Sequence, residues 1–97
     1  MDLNKLINQM NRLHKEELEI VEKKSKDYSG EKDVFLNFKW FGELGFLVRM
    51  FDKLMRIKNI IEKGVYNVNN ETLKDSLMDL VNYSNLLILY LNEKEKK

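Results

Sequence analysis

Apolar positions recur along most of this chain at the three-and-four spacing of helices that bury one face. Leu3, Leu6, Ile7, Met10, Leu13, Glu17, Ile20 and Val21 largely follow it and predict a first helix from about Leu3 to about Lys24. The stretch KDYSGEKD, residues 26–33, breaks the pattern, and Ser29-Gly30 is a turn signal. VFLNF, residues 34–38, reads equally as extended chain or as a short helical turn. A second helix is predicted from Asn37–Lys39 to Gly64, a glycine suited to a C-terminal cap. After VYNVNN, Asn70 is the expected N-cap of a third helix from Glu71 to about Asn92. Nothing alternates as a strand should. The expected fold class is all-α: three main helices in a bundle completed by oligomerisation.

Four charges interrupt the second helix, in RMFDKLMR, residues 49–56. A residue in an α-helix turns ~100°, so Asp52, Lys53 and Arg56 all fall within roughly 50° of Arg49. Gly42 and Gly45 project onto the same stripe, which predicts a close approach by another helix or a ligand. Trp40, Leu44, Leu47, Phe51 and Leu54 lie opposite. The third helix carries a matching stripe of Asp75, Asp79 and Asn82, flanked by Tyr83. Its second half is apolar nearly all round, the mark of a helix buried on more than one side. Facing stripes would bring Arg49, Lys53 and Arg56 to Asp75 and Asp79. That arrangement reads in two ways: as salt bridges between helices, or as a site where carboxylates hold a divalent cation and basic side chains hold phosphate oxygens.

Composition narrows the partners. The chain has 97 residues, enough for one small domain over residues 1–92 with a charged tail, EKEKK, at 93–97 that is expected to fray. Seventeen basic and sixteen acidic side chains leave a net charge of +1, which argues against bulk nucleic acid as a partner. The absence of cysteine rules out disulfides and thiolate metal sites. The longest late apolar run, LLILYL, is too short to span a bilayer, and the N-terminus lacks a signal-peptide core. A membrane partner is therefore not expected, and the cytoplasm is the expected location. His14 has no partner set and reads as a surface residue. The serines lack a nucleophile elbow, and there is no glycine-rich phosphate loop.

Three segments together carry a resemblance: KKSKDYSGEKDVFLNF at 23–38, GFLVRMFDKLMRIKNII at 45–61 and ETLKDSLMDLVNYSNLLILYL at 71–91. They resemble the phage-associated nucleotide modification associated domain family, itself similar to the MazG-type all-α nucleoside triphosphate pyrophosphatases. The resemblance implies a MazG-like helical bundle in a homo-oligomer, in the host cytoplasm if the chain is phage-encoded. It implies a nucleotide or cyclic nucleotide ligand, with Lys26, Tyr28, Arg49, Lys53, Arg56, Asn82 and Tyr83 around it. Asp52, Asp75 and Asp79 would be the metal ligands, and Mg²⁺ the candidate ion. The chain departs from the pyrophosphatases in lacking their Glu-Glu-x-x-Glu motif on the second helix. Asp75 and Asp79 are also spaced one residue wider than Glu-x-x-Asp. A site with two metal ions needs several carboxylates, so the departure favours binding an intact nucleotide, by sequestration, over hydrolysing one. A Mg²⁺-dependent pyrophosphohydrolase is the alternative, and a structural interaction module the third reading.

Overall fold

A computed structural model describes residues 1–29, 41–64, 67–68 and 71–95. The VFLNF stretch and Trp40, read above from sequence, lie outside the described residues. Among the described residues the fold is all-α apart from one minimal hairpin: α1 (Leu3–Ser29), α2 (Glu43–Lys63), β1 (Asn67–Val68), β2 (Glu71–Thr72) and α3 (Leu73–Glu95). The chain forms two compact units, residues 1–34 and 35–97. No helix among the described residues is long and apolar enough to cross a membrane.

In the first unit, Asp2 caps α1: its side chain accepts from the Lys5 amide at 2.8 Å, satisfying one of the helix's orphan donors. The helix continues past the expected end at Lys24, through the Lys-Asp-Tyr segment and up to Ser29. Its early apolar positions, Leu3, Leu6, Ile7 and Met10, are exposed. His14 pairs at 3.2 Å with Glu17 one turn on, a local contact within the helix.

In the second unit, α2 and α3 pack side by side, running in opposite directions with the hairpin between them. The start of α2 lies later than the expected Asn37–Lys39, at Glu43, because Gly42 takes φ 60° and ψ −141° at the N-cap. Gly42 is thus required by the backbone, not by a helix pressed against a mid-helix glycine. A Cβ there would meet the Tyr90 hydroxyl at 3.7 Å, an ordinary contact. Gly64 ends the helix in the left-handed conformation, as its sequence position predicts.

The third helix also begins later than expected. Its N-cap is Thr72, not Asn70, because two reciprocal bonds fix it there. The Asp75 amide donates to Thr72 Oγ1, and the Thr72 amide donates to Asp75 Oδ2, both at 3.1 Å. This is a capping box with aspartate as the acidic member. The preceding residues pair instead as strands, Asn67 with Thr72 and Val68 with Glu71. At the far end, α3 runs through Glu93–Glu95, so the expected frayed tail is partly helical. Lys94 holds Glu43 and lies 5.7 Å from the centre of the Tyr90 ring, which itself packs at 5.4 Å on Phe46. That cluster ties the end of α3 to the start of α2.

In this unit α2 covers an apolar side with one lysine in it, whereas α3 buries mostly polar residues. Phe46 and Ile60 are fully buried, and each contributes about 2 kcal/mol by leaving water. They share one side of α2 with Lys53, which lies about two turns from each. On α3 the buried residues are Ser76, Met78, Asp79 and Asn82, mostly polar. The more regular apolar faces point outward: Leu44, Leu47, Val48, Phe51 and Leu54 on α2, and Leu77, Val81 and Ile88 on α3, are all exposed. The second half of α3 is therefore not enclosed on several sides within one chain: Ile88, Leu89 and Leu91 all face solvent.

Candidate functional site

The inward stripes of α2 and α3 meet around Lys53. Its side chain is 12% exposed, and its ammonium lies 2.7 Å from Glu71 Oε1 and 2.8 Å from Asp79 Oδ2. Glu71 uses its second oxygen as well. Oε2 accepts from Ser76 Oγ at 2.6 Å and from the Arg56 guanidinium at 3.1 Å. Ser76 is fully buried, Asp79 nearly so, and Arg56 half exposed. One carboxylate thus holds two cations from successive turns of α2 in fixed relation, braced from beneath by a serine. Among the described residues no buried side-chain nitrogen or oxygen lacks a hydrogen-bond partner, so the cluster is fully satisfied.

Electrostatics follow from this geometry. Burial alone would raise the Glu71 carboxyl, but the bonds from Lys53, Ser76 and Arg56 outweigh it and hold the group down at about 2. Burial likewise opposes the charge on Lys53, and the bonds to Asp79 and Glu71 overcome it, so its pKa is raised. Arg56 is raised too, through its bond to Glu71. Two cations and two anions leave the cluster itself neutral. It offers directional donors at its Arg56 edge rather than a large positive field.

The residues singled out from sequence separate into three sets. Lys53, Arg56 and Asp79 are drawn together as the facing stripes require. Asn82 is buried on the same side of α3, and Tyr83 beside it is half-buried. Arg49 is exposed, one turn before Lys53 on α2. The carboxylates assigned to a metal do not converge. Asp52 is exposed on α2 and Asp75 is engaged in the capping box, leaving Asp79 on Lys53. No group of three acidic, histidine or cysteine side chains among the described residues is placed to hold a metal ion. Lys26 and Tyr28 lie on the last turn of α1, in the other unit, and their side chains fall outside the described residues.

Sequence reasoning missed Glu71 and Ser76, although Glu71 is the residue on which the cluster converges. A signal existed for Ser76. Counting back one turn from Asp79 along the third helix reaches Ser76, while Glu71 reaches the cluster from the strand before that helix. Glu71 was hidden because it reads as the helix's first residue, where an acid is explained by the helix dipole.

No curated protein and no solved structure matches the chain significantly. The segment at residues 23–38, part of the resemblance drawn from sequence, lies outside the span that a family model does match. That model, described as nucleotide modification associated domain 1, matches residues 46–91, which hold Arg49, Lys53, Arg56, Glu71, Ser76, Asp79, Asn82 and Tyr83 and so contain the whole cluster.

Proposed function

We propose that this chain binds a phosphorylated nucleotide at the edge of the Lys53–Glu71 cluster and holds it without turnover. The observation that carries this reading is the double grip of Glu71, which fixes Lys53 and the half-exposed Arg56 side by side on α2. Donors already held in place lose little freedom when an anion arrives. Arg56 can meet phosphate oxygens through a planar, bidentate fork, and Arg49 stands exposed one turn before Lys53. Asn82 and Tyr83, across the helix pair, supply an amide and an aromatic ring for a base or sugar. The matched family's description, which concerns nucleotide modification, points to the same class of ligand.

Binding is favoured over hydrolysis because of what the carboxylates do. Glu71 and Asp79 both point at one ammonium, and Asp75 is committed to the helix start. A Mg²⁺-dependent pyrophosphohydrolase would need those groups released and joined by others to hold ions and orient water. Its support is the resemblance to MazG-type enzymes. On the binding reading, the chain is a phage-type sequestering protein in the host cytoplasm, and a nucleotide signal of host immunity is the ligand class to test first.

The test is to incubate the chain with nucleotides and cyclic nucleotides plus Mg²⁺, separate protein by filtration, denature it and chromatograph both fractions. Intact ligand released from the protein fraction supports the proposal, and Arg49→Ala or Arg56→Ala should each weaken binding about tenfold, the loss of one charge-assisted contact. Recovery of monophosphate and pyrophosphate would establish the enzyme instead. No affinity for any nucleotide would leave the structural module.

A further inference from the structure

The outward face of α2 is a regular heptad seam. With Leu44 at position a, the a positions are Leu44, Phe51 and Lys58, and the d positions are Leu47, Leu54 and Ile61. Val48 and Met55 follow at e. The seam runs the length of the helix and lies on the side opposite Phe46, Lys53 and Ile60, which face α3. Its apolar members are solvent-exposed, from 38% at Met55 to 67% at Leu44. A heptad seam on the exterior of a helix is the pattern that accepts a second helix by knobs-into-holes packing.

We propose that α2 pairs with α2 of a second copy of this chain, antiparallel, in a twofold dimer centred between Asp52 and Lys53. Three features select this occupant and this direction. The first is self-complementarity. In an antiparallel pair, a positions meet d positions of the partner, so Leu44 meets the partner's Ile61 and Phe51 meets the partner's Leu54, all apolar. The e-position flank agrees, since Val48 lies near the partner's Met55.

Charge is the second. Lys58 is the one charged residue in the a and d layers. A parallel, in-register pair would set the two Lys58 ammoniums in one layer, as like charges face to face. The antiparallel pair opposes Lys58 to the partner's Leu47 and separates the two Lys58 positions by about 16 Å along the axis. Each Lys58 then keeps its own counter-ion, Glu62 at 3.0 Å, at the seam's edge. Antiparallel packing also aligns the helix dipoles favourably.

Area is the third. Seven apolar side chains on the seam, exposing about 100 Å² apiece, offer about 700 Å² per chain, close to the roughly 800 Å² per partner of a standard specific interface. This inference does not depend on nucleotide binding. The seam is on the far side of α2 from the Lys53 cluster, so a dimer leaves that cluster's donors in place.

The experiment uses the full chain, which has no native cysteine. Its mass in solution is measured by sedimentation equilibrium, and Leu47→Cys and Lys58→Cys chains are made separately, mixed and treated with a short bis-maleimide. A dimer whose main crosslink joins position 47 of one chain to position 58 of the other is the expected result. Leu54→Glu should halve the apparent mass while leaving the helical circular dichroism unchanged, because Leu54 does not face α3. A monomeric native chain would overturn the proposal, since α2 would then be covered from within the chain or left bare. So would Lys58→Cys crosslinking best to itself, which marks a parallel pair, or a dimer in which neither introduced thiol crosslinks, which places the interface elsewhere.

Discussion

Replacing Glu71 by glutamine tests whether the ion cluster stabilises the hairpin. The substituted amide keeps the size and one acceptor oxygen but loses the charge, while Lys53 retains Asp79 at 2.8 Å. The wild-type carboxyl is held at about 2 against an ordinary 4.5. At 1.36 kcal/mol for each tenfold change in proton affinity, that gap corresponds to about 3 kcal/mol at full strength. Arg56, one of the three donors, is half exposed and its contribution is screened by water. The expected loss at neutral pH is therefore about 1–2 kcal/mol, or roughly 5–15 °C in the melting temperature of a domain this size. The pH dependence is the sharper signature. A carboxyl lowered on folding stabilises fully above its unfolded value near 4.5, and that stability drains away as pH falls towards 2. The difference between wild type and Glu71→Gln, followed by thermal melts from pH 7 downward, should thus shrink by more than half by about pH 3. Equal melting temperatures at pH 7, or a difference that stays constant down to pH 3, would refute the reasoning.

Lys53→Met should cost about 3 kcal/mol in urea unfolding, because it strands the nearly buried Asp79 without its cation; Lys53→Arg should recover most of it, and a neutral result for Met would mean the ion pair is dispensable. Thr72→Ala removes the side-chain half of the capping box and should lower stability by about 1 kcal/mol, detectable as earlier amide exchange in the first turn of α3. If exchange there is unchanged, the cap does not govern the start of that helix.

How much of this was legible in the sequence differs by element. The existence of the three helices, and the cap at Gly64, follow from local periodicity and a single permissive glycine, and both hold. The facing of the two charged stripes was legible as well, because angle along a helix is fixed by residue number: Lys53 does reach Asp79. The boundaries shifted where tertiary or turn chemistry competes with propensity. Gly42 delays the start of α2 through its backbone conformation, and a two-residue strand pair takes Glu71 and Thr72 away from the start of α3. Glu71 was missed for that reason, and with it the fact that one carboxylate organises two cations. The role of Asp75 also depended on the cap: with the helix beginning at Leu73, its carboxylate is in reach of the Thr72 amide and is used there. Sequence periodicity marks an apolar face and a polar face on each helix but not where the neighbour lands: on α2 the covered side is Phe46, Met50, Ile57 and Ile60 with Lys53 among them, while on α3 the buried residues are mostly polar.

The small hairpin has a consequence for what this connection can tolerate. Glu71 reaches the cluster from a strand, where successive side chains point to opposite sides. Its pairing with Val68 sets which side that is. Lengthening or shortening the two-residue connection between the strands by one residue would shift that register and turn Glu71 away from Lys53, Arg56 and Ser76 at a stroke. An insertion there should act on α2 from a distance, loosening two cations on a separate helix without altering any residue that touches them.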